Sequence, residues 1–117
     1  MTVYNRPMLF CGGLAGALGV AASAAAAHAG GPNLGSVAVI IMAHAPAFLA
    51  LALMRRTFAI AGGYVILAGV LLFCGDLVAR DIVGQRLFPL AAPAGGVLMI
   101  SGWLLVAVSA FGRTMSD

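Results

Sequence analysis

The sequence contains no lysine and no glutamate among its 117 residues. Its charge is carried by six arginines and three aspartates, 8% of the chain, where a water-soluble domain carries about 25%. With 63% hydrophobic residues and a mean hydropathy of +1.13, such a chain would not stay soluble as a globule. The net charge of +3 is small and scattered, which argues against nucleic-acid binding. There are only two cysteines, Cys11 and Cys74, and two histidines, His28 and His44. No hydrolase, redox or nucleotide motif occurs. The glycine-rich runs lie inside apolar stretches, so they cannot act as phosphate loops, which need a strand before and a helix after. A non-enzymatic protein without cofactor or resident metal is therefore expected.

What the chain does have is long apolar runs. A membrane-spanning helix needs about 20 mostly apolar residues, and four runs qualify, near 7–29, 36–54, 58–79 and 90–111. The expected fold is all-α, an integral membrane bundle of four transmembrane helices forming one domain over 1–117. Pro7 suits a first helical turn. Gly30-Gly31-Pro32-Asn33 is a strong breaker. The connection at Arg55-Arg56-Thr57 is so short that spans two and three must form an antiparallel hairpin. The stretch 80–90 is the longest polar one, but Ile82, Val83, Leu87 and Phe88 suggest that it lies along the membrane surface.

Every arginine falls outside the most apolar stretches, where it can anchor a helix end at the headgroups. Four spans place both termini on one side, with Arg6, Arg55, Arg56 and Arg113. The opposite side has Arg80 and Arg86. The excess of positive charge puts both termini in the cytoplasm, in what is expected to be a bacterial inner membrane. The first span also resembles a secretory signal, with Ala27-His28-Ala29 before Gly30, but its apolar run exceeds the usual signal core of about 7–15 residues. It is expected to be retained. Phe10 is too large for a residue preceding a lipidated Cys11.

Three spans carry Gly-Gly with a further glycine seven residues after the first: Gly12…Gly19, Gly62…Gly69 and Gly95…Gly102. Seven residues are two helical turns, so each set marks one face, and Gly16 extends the first. Small faces let helix backbones approach closely in lipid. These seven glycines are expected to pack the bundle. A loop glycine such as Gly30 is expected to tolerate substitution.

Polar residues inside the spans are the remaining signal. An acid in a spanning helix costs about 2.5–3.5 kcal/mol by insertion scales, so Asp76 needs a partner or a role. It continues the heptad Gly62-Gly69-Asp76 and should point into the bundle, one turn from Arg80, with which an i,i+4 ion pair is available. His44 lies a third to halfway into span two, two residues before Pro46, which removes a backbone donor. A neutral histidine bonded to a neighbouring helix is the plain reading. His28 falls at the end of span one. His28, His44, Cys74 and Asp76 share one half of the membrane by depth, and that donor set could suit zinc or copper, but the spacings match no site motif and no metal is assigned. The candidates for ligand or proton handling are His28, His44 and Asp76.

Gly16-Ala-Leu-Gly-Val20, Ala26-Ala-His28, Ala43-His44-Ala45, Leu72-Phe-Cys-Gly-Asp76-Leu77, Pro93-Ala-Gly-Gly96 and Ser101-Gly-Trp103 follow one another in an order that resembles the domain-of-unknown-function family 423 (DUF423), whose animal relative is called transmembrane protein 256. The resemblance implies four transmembrane helices, no established activity, and His28 and His44 as family positions. The chain departs from the pattern at a short 30–42 stretch, at Pro46 and at Asp76. Small multidrug exporters are a poor match, because they rely on a glutamate in the first helix. Two expectations follow. One is an accessory or interaction protein that packs through glycine faces against a larger membrane complex, or against itself as a homo-oligomer, with lipid as its surroundings. The other is a small-molecule or proton-handling protein built on a buried His44/Asp76 pocket.

Overall fold

The computed structural model describes residues 4–28 and 30–112 and is all-α. Its helices are α1 (Arg6–His28), α2 (Leu34–Ala52), α3 (Thr57–Ile82) and α4 (Ala91–Val108), the last continued by a 3₁₀ turn at Ser109–Phe111. All four are long and apolar enough to cross a membrane. At about 1.5 Å per residue, the 26 residues of α3 reach roughly 39 Å, beyond the ~30 Å hydrocarbon core. The third helix therefore runs three residues past its expected end and carries Arg80 and Asp81 on helical backbone.

Each helix end has a local cause. Asn5 caps α1, its Oδ1 accepting from Met8 N at 3.0 Å, which satisfies a donor that the first turn leaves free. Asn5 N also donates to Ala52 O at 2.6 Å, which ties the start of α1 to the end of α2. At the end of α3, Gly84 takes a left-handed φ of +82°, and its N–H reaches back to Ala79 O and Arg80 O. A glycine closes the helix here because a Cβ would be strained in that conformation. Leu90 is also left-handed, with φ +68°, immediately before α4. Helix α2 continues through Pro46, whose ring lies on the exposed side.

The helices pack as two tight hairpins, α1 with α2 and α3 with α4, joined chiefly along α2 and α3. The bundle is flattened, 49 × 27 × 18 Å. Its core contains Met8 from α1, Val37, Phe48 and Leu51 from α2, Ile66 and Val70 from α3, and Met99 from α4.

Glycine sets the distances within each hairpin, in two different ways. Between α3 and α4 the contact is backbone to backbone. A Cβ on Gly62 would lie 2.6 Å from Gly102 O, and one on Gly102 would lie 2.7 Å from Gly62 O. Gly69 and Gly95 oppose each other likewise, at 2.7 and 2.8 Å from the partner's carbonyl oxygen. Between α1 and α2 the glycines receive side chains: Leu49 seats on Gly12 and Met42 on Gly19, while Gly16 has Ala45 Cβ no nearer than 4.0 Å from the position its own Cβ would take. The loop glycine differs from expectation. A Cβ on Gly30 would meet Leu34 at 2.6 Å and the backbone of Ala25 and Ala26 at 3.0 Å, because the chain turns sharply over the end of α1. Gly96 has open space instead.

These contacts predict a graded outcome. Gly69→Leu and Gly102→Leu must push backbone against backbone, so each should lose at least about 1–3 kcal/mol, the range for overpacked cores. Gly96→Leu should stay within about 0.5 kcal/mol, as surface substitutions do. Thermal unfolding in detergent measures the order, and equal tolerance of all three would rule out packing through these faces.

Candidate functional site

Among the described residues the four α-helices contain two buried polar side chains, His44 and Asp76, and each is closed by the chain itself. Asp76 lies on the inward face of α3 with no exposed surface. Its Oδ2 accepts from Arg80 Nη2 at 2.7 Å, the pair one helical turn apart. Its Oδ1 accepts from the backbone N–H of Leu87 at 2.7 Å. Both carboxylate oxygens are thus engaged, which a buried acid requires. The second bond folds the 83–90 connection back over the end of α3. Arg80 is about one-third exposed, and its Nε is buried without a partner.

His44 lies on α2 and is 8% exposed. Its Nδ1 is 2.8 Å from Ile40 O, one turn earlier in the same helix. Its Nε2 is 3.1 Å from Trp103 Nε1 on α4. An indole N–H can only donate, so Nε2 accepts and the ring proton resides on Nδ1, from which it is donated to Ile40. The imidazole is neutral, with both nitrogens engaged. The rings of Phe48 and Trp103 pack against it with centroids 6.2 and 5.8 Å away.

Different partners hold the two centres. Trp103 adjoins Gly102, which packs on Gly62 and Ile66. His44 and Asp76 share no hydrogen-bond partner. His28 is exposed at the end of α1, and its Nδ1 is 2.8 Å from Ala24 O in its own helix. Cys74 is buried in α3. Among the described residues no group of three or more His, Cys, Asp or Glu side chains is placed to hold a metal ion. Arg113 and Asp117 lie outside the described residues.

Polar clasps at the helix ends complete the picture. Asp81 accepts from Asn33 N at 3.1 Å and from Asn33 Nδ2 at 2.9 Å, which binds the α1–α2 connection to the end of α3. Gly31 makes room for it, since a Cβ there would lie 2.5 Å from Asp81 Cγ. At the opposite end Arg56 Nη1 donates to Ser109 O at 3.1 Å and to Gly112 O, holding the end of α4 against the α2–α3 turn. A cleft lined by Thr57, Phe58, Ser109 and Gly112 opens beside this clasp, at the far end of α3 from Asp76. Tyr64 OH donates to Asn5 Oδ1 at 3.3 Å.

Of these partners only Arg80 is legible in sequence, because an i,i+4 pair is local. The pairing of His44 with Trp103 had one available signal, that a tryptophan held within a span needs an acceptor for its N–H. The bond from Leu87 to Asp76 had none, since its donor is backbone.

The ion pair predicts an order of stabilities. Asp76→Asn keeps an oxygen for Leu87 N and loses the charged bond to Arg80, a change of about 1.5–3 kcal/mol. Arg80→Ala leaves a fully buried carboxylate without its cation and should lose more, about 3–5 kcal/mol. Thermal unfolding in detergent would reveal the order, and a reversed one would show that Arg80 is not what stabilises the acid.

Comparison with known proteins adds to this geometry. The family model for DUF423, "Protein of unknown function", matches residues 15–96, a stretch that runs from α1 into α4 and includes His28, His44 and Asp76. A "UPF0382 membrane protein" of Staphylococcus haemolyticus is 35% identical over 49 residues, 42% of this chain. The match spans only 40% of that relative's length. No solved structure matches the chain.

Proposed function

The chain belongs to the DUF423 family, and on that premise we propose that it is a small non-enzymatic membrane protein serving as an accessory or interaction subunit, packed against a larger membrane complex or a further copy of itself. The observation that carries this reading is the self-closure of the polar centres. His44 spends both ring nitrogens on Ile40 and Trp103, and Asp76 spends both oxygens on Arg80 and Leu87. Side chains used in this way hold helices in register and are not presented to a substrate. The surface adds support. Helix α1 leaves Gly13, Ala17 and Ala21 exposed at intervals of four, a spacing that suits close approach by another helix in lipid. A joint His44/Asp76 pocket draws no support from two centres that share no hydrogen-bond partner.

The proposed setting is the cytoplasmic membrane of a bacterium, with both termini in the cytoplasm. Arg6 begins α1, and Arg55 and Arg56 occupy the α2–α3 turn at the same end of the bundle; Arg80 and Arg86 lie at the other. That bias matches the excess of positive charge found on cytoplasmic loops.

Two measurements test these statements. Purification of the tagged chain in mild detergent, with mass spectrometry of the intact assembly, should give either a stoichiometric membrane-protein partner or a defined homo-oligomer. A solitary monomer under conditions that preserve known membrane complexes would overturn the interaction reading. Reporter fusions at the C-terminus and within the α3–α4 connection should report opposite compartments, the C-terminal one cytoplasmic. Agreement between the two would sink the orientation.

A further inference from the structure

The α2–α4 contact between His44 and Trp103 has a chemistry that the other clasps lack. The ends of the bundle are tied by bonds to carboxylates, amides and backbone groups. Here the acceptor is a neutral imidazole nitrogen, which is also the only place on that ring where a proton can add. Nδ1 already holds its proton and donates it to Ile40 O. Nε2 accepts from Trp103 Nε1 at 3.1 Å.

We propose that His44 and Trp103 form a proton-sensitive clasp between the two hairpins, in which uptake of one proton at His44 Nε2 releases Trp103 from α2. A proton on Nε2 converts the acceptor to a donor, and two N–H groups then face each other. The indole has no second mode of bonding, since it is a donor only. The ring becomes an imidazolium, both of whose nitrogens donate, and only Ile40 O remains as a partner.

The surroundings offer that charge no relief. At this level α1 runs from Gly12 to Gly19 and contributes no titratable side chain, the nearest being Cys11. Helix α3 contributes Tyr64, whose hydroxyl is committed to Asn5 Oδ1, and Cys74, a buried thiol that brings no negative charge while it keeps its proton. Helix α4 from Met99 to Val106 contributes none. On α2 itself no other titratable group occurs between Leu34 and Ala52. The two carboxylates of α3 are committed elsewhere, Asp76 to Arg80 and Leu87 and Asp81 to Asn33. The clasp therefore works as a two-state contact, made with neutral His44 and lost with charged His44. Trp103 is 41% exposed and has room to leave. The two hairpins would stay joined along α2 and α3, with α4 freed on its outer flank.

This inference concerns the isolated chain and stands whether or not a partner subunit exists. Trp103 is the sole tryptophan, so its emission reports on the clasp directly. The full chain in detergent, titrated between about pH 8 and about pH 5, where histidine changes charge, should show a single-proton step in emission. The step should persist in His28→Gln and vanish in His44→Gln. Should His44→Gln not fold, ¹⁵N-histidine NMR of the His28→Gln chain gives the same decision. His44 should hold its proton on Nδ1 at the neutral end and on both nitrogens at the acid end, in step with the emission change. Emission that does not vary with pH, a step that survives in His44→Gln, or an Nε2–H tautomer at neutral pH would each overturn the proposal.

Discussion

Two backbone contacts, Gly62 against Gly102 and Gly69 against Gly95, set the spacing on which the rest of the structure depends. Because neither partner has a side chain, α3 and α4 meet at the distance of main-chain carbonyls, where dispersion and Cα–H···O contacts replace a hydrophobic drive that lipid does not supply. The reciprocal fit leaves no freedom to slide. With the register of α4 on α3 settled, Trp103, the residue after Gly102, is carried to the level of His44. The start of α4 at Ala91 is settled too. The connection from Val83 must then double back, and Leu87 N comes within 2.7 Å of Asp76.

The polar groups follow the logic of a medium without water. A buried donor or acceptor in hydrocarbon must find its partner within the protein. Asp76 joins a cation one turn away to a backbone N–H from the loop. His44 joins a carbonyl one turn back to an indole from another helix. Asn5, Asn33, Arg56 and Asp81 tie connections to helix ends. Glycine contacts and the His44–Trp103 bond hold the middle of the bundle, and hydrogen bonds to loop and terminal groups hold its two ends.

Much of this was legible from the residues one at a time. The four apolar runs had to be helices, and the breaker at Gly30–Asn33 and the turn at Arg55–Thr57 set their order. The heptads of glycine named the faces, and Asp76 one turn before Arg80 named its own partner. Grouping His28, His44, Cys74 and Asp76 by depth did not carry over into a common site. Depth is one coordinate only, and it leaves open both the direction in which a side chain points and the relative height of neighbouring helices. Gly30 misled for a related reason: a position between helices looks free until the fold shows the chain turning back on Ala25 and Ala26.

The sequence by itself determined the helices, their antiparallel succession, the small faces and the local ion pair, because each rests on interactions within one helix or on the length of an apolar run. Only the tertiary structure decided which glycine meets which, that the backbone of Leu87 completes Asp76, and that Trp103 completes His44. Those pairings join residues 11 to 59 positions apart. Their geometry depends on the rotation and height of one helix against another. No single helix carries that information, and it arises only when two surfaces without side chains come into contact.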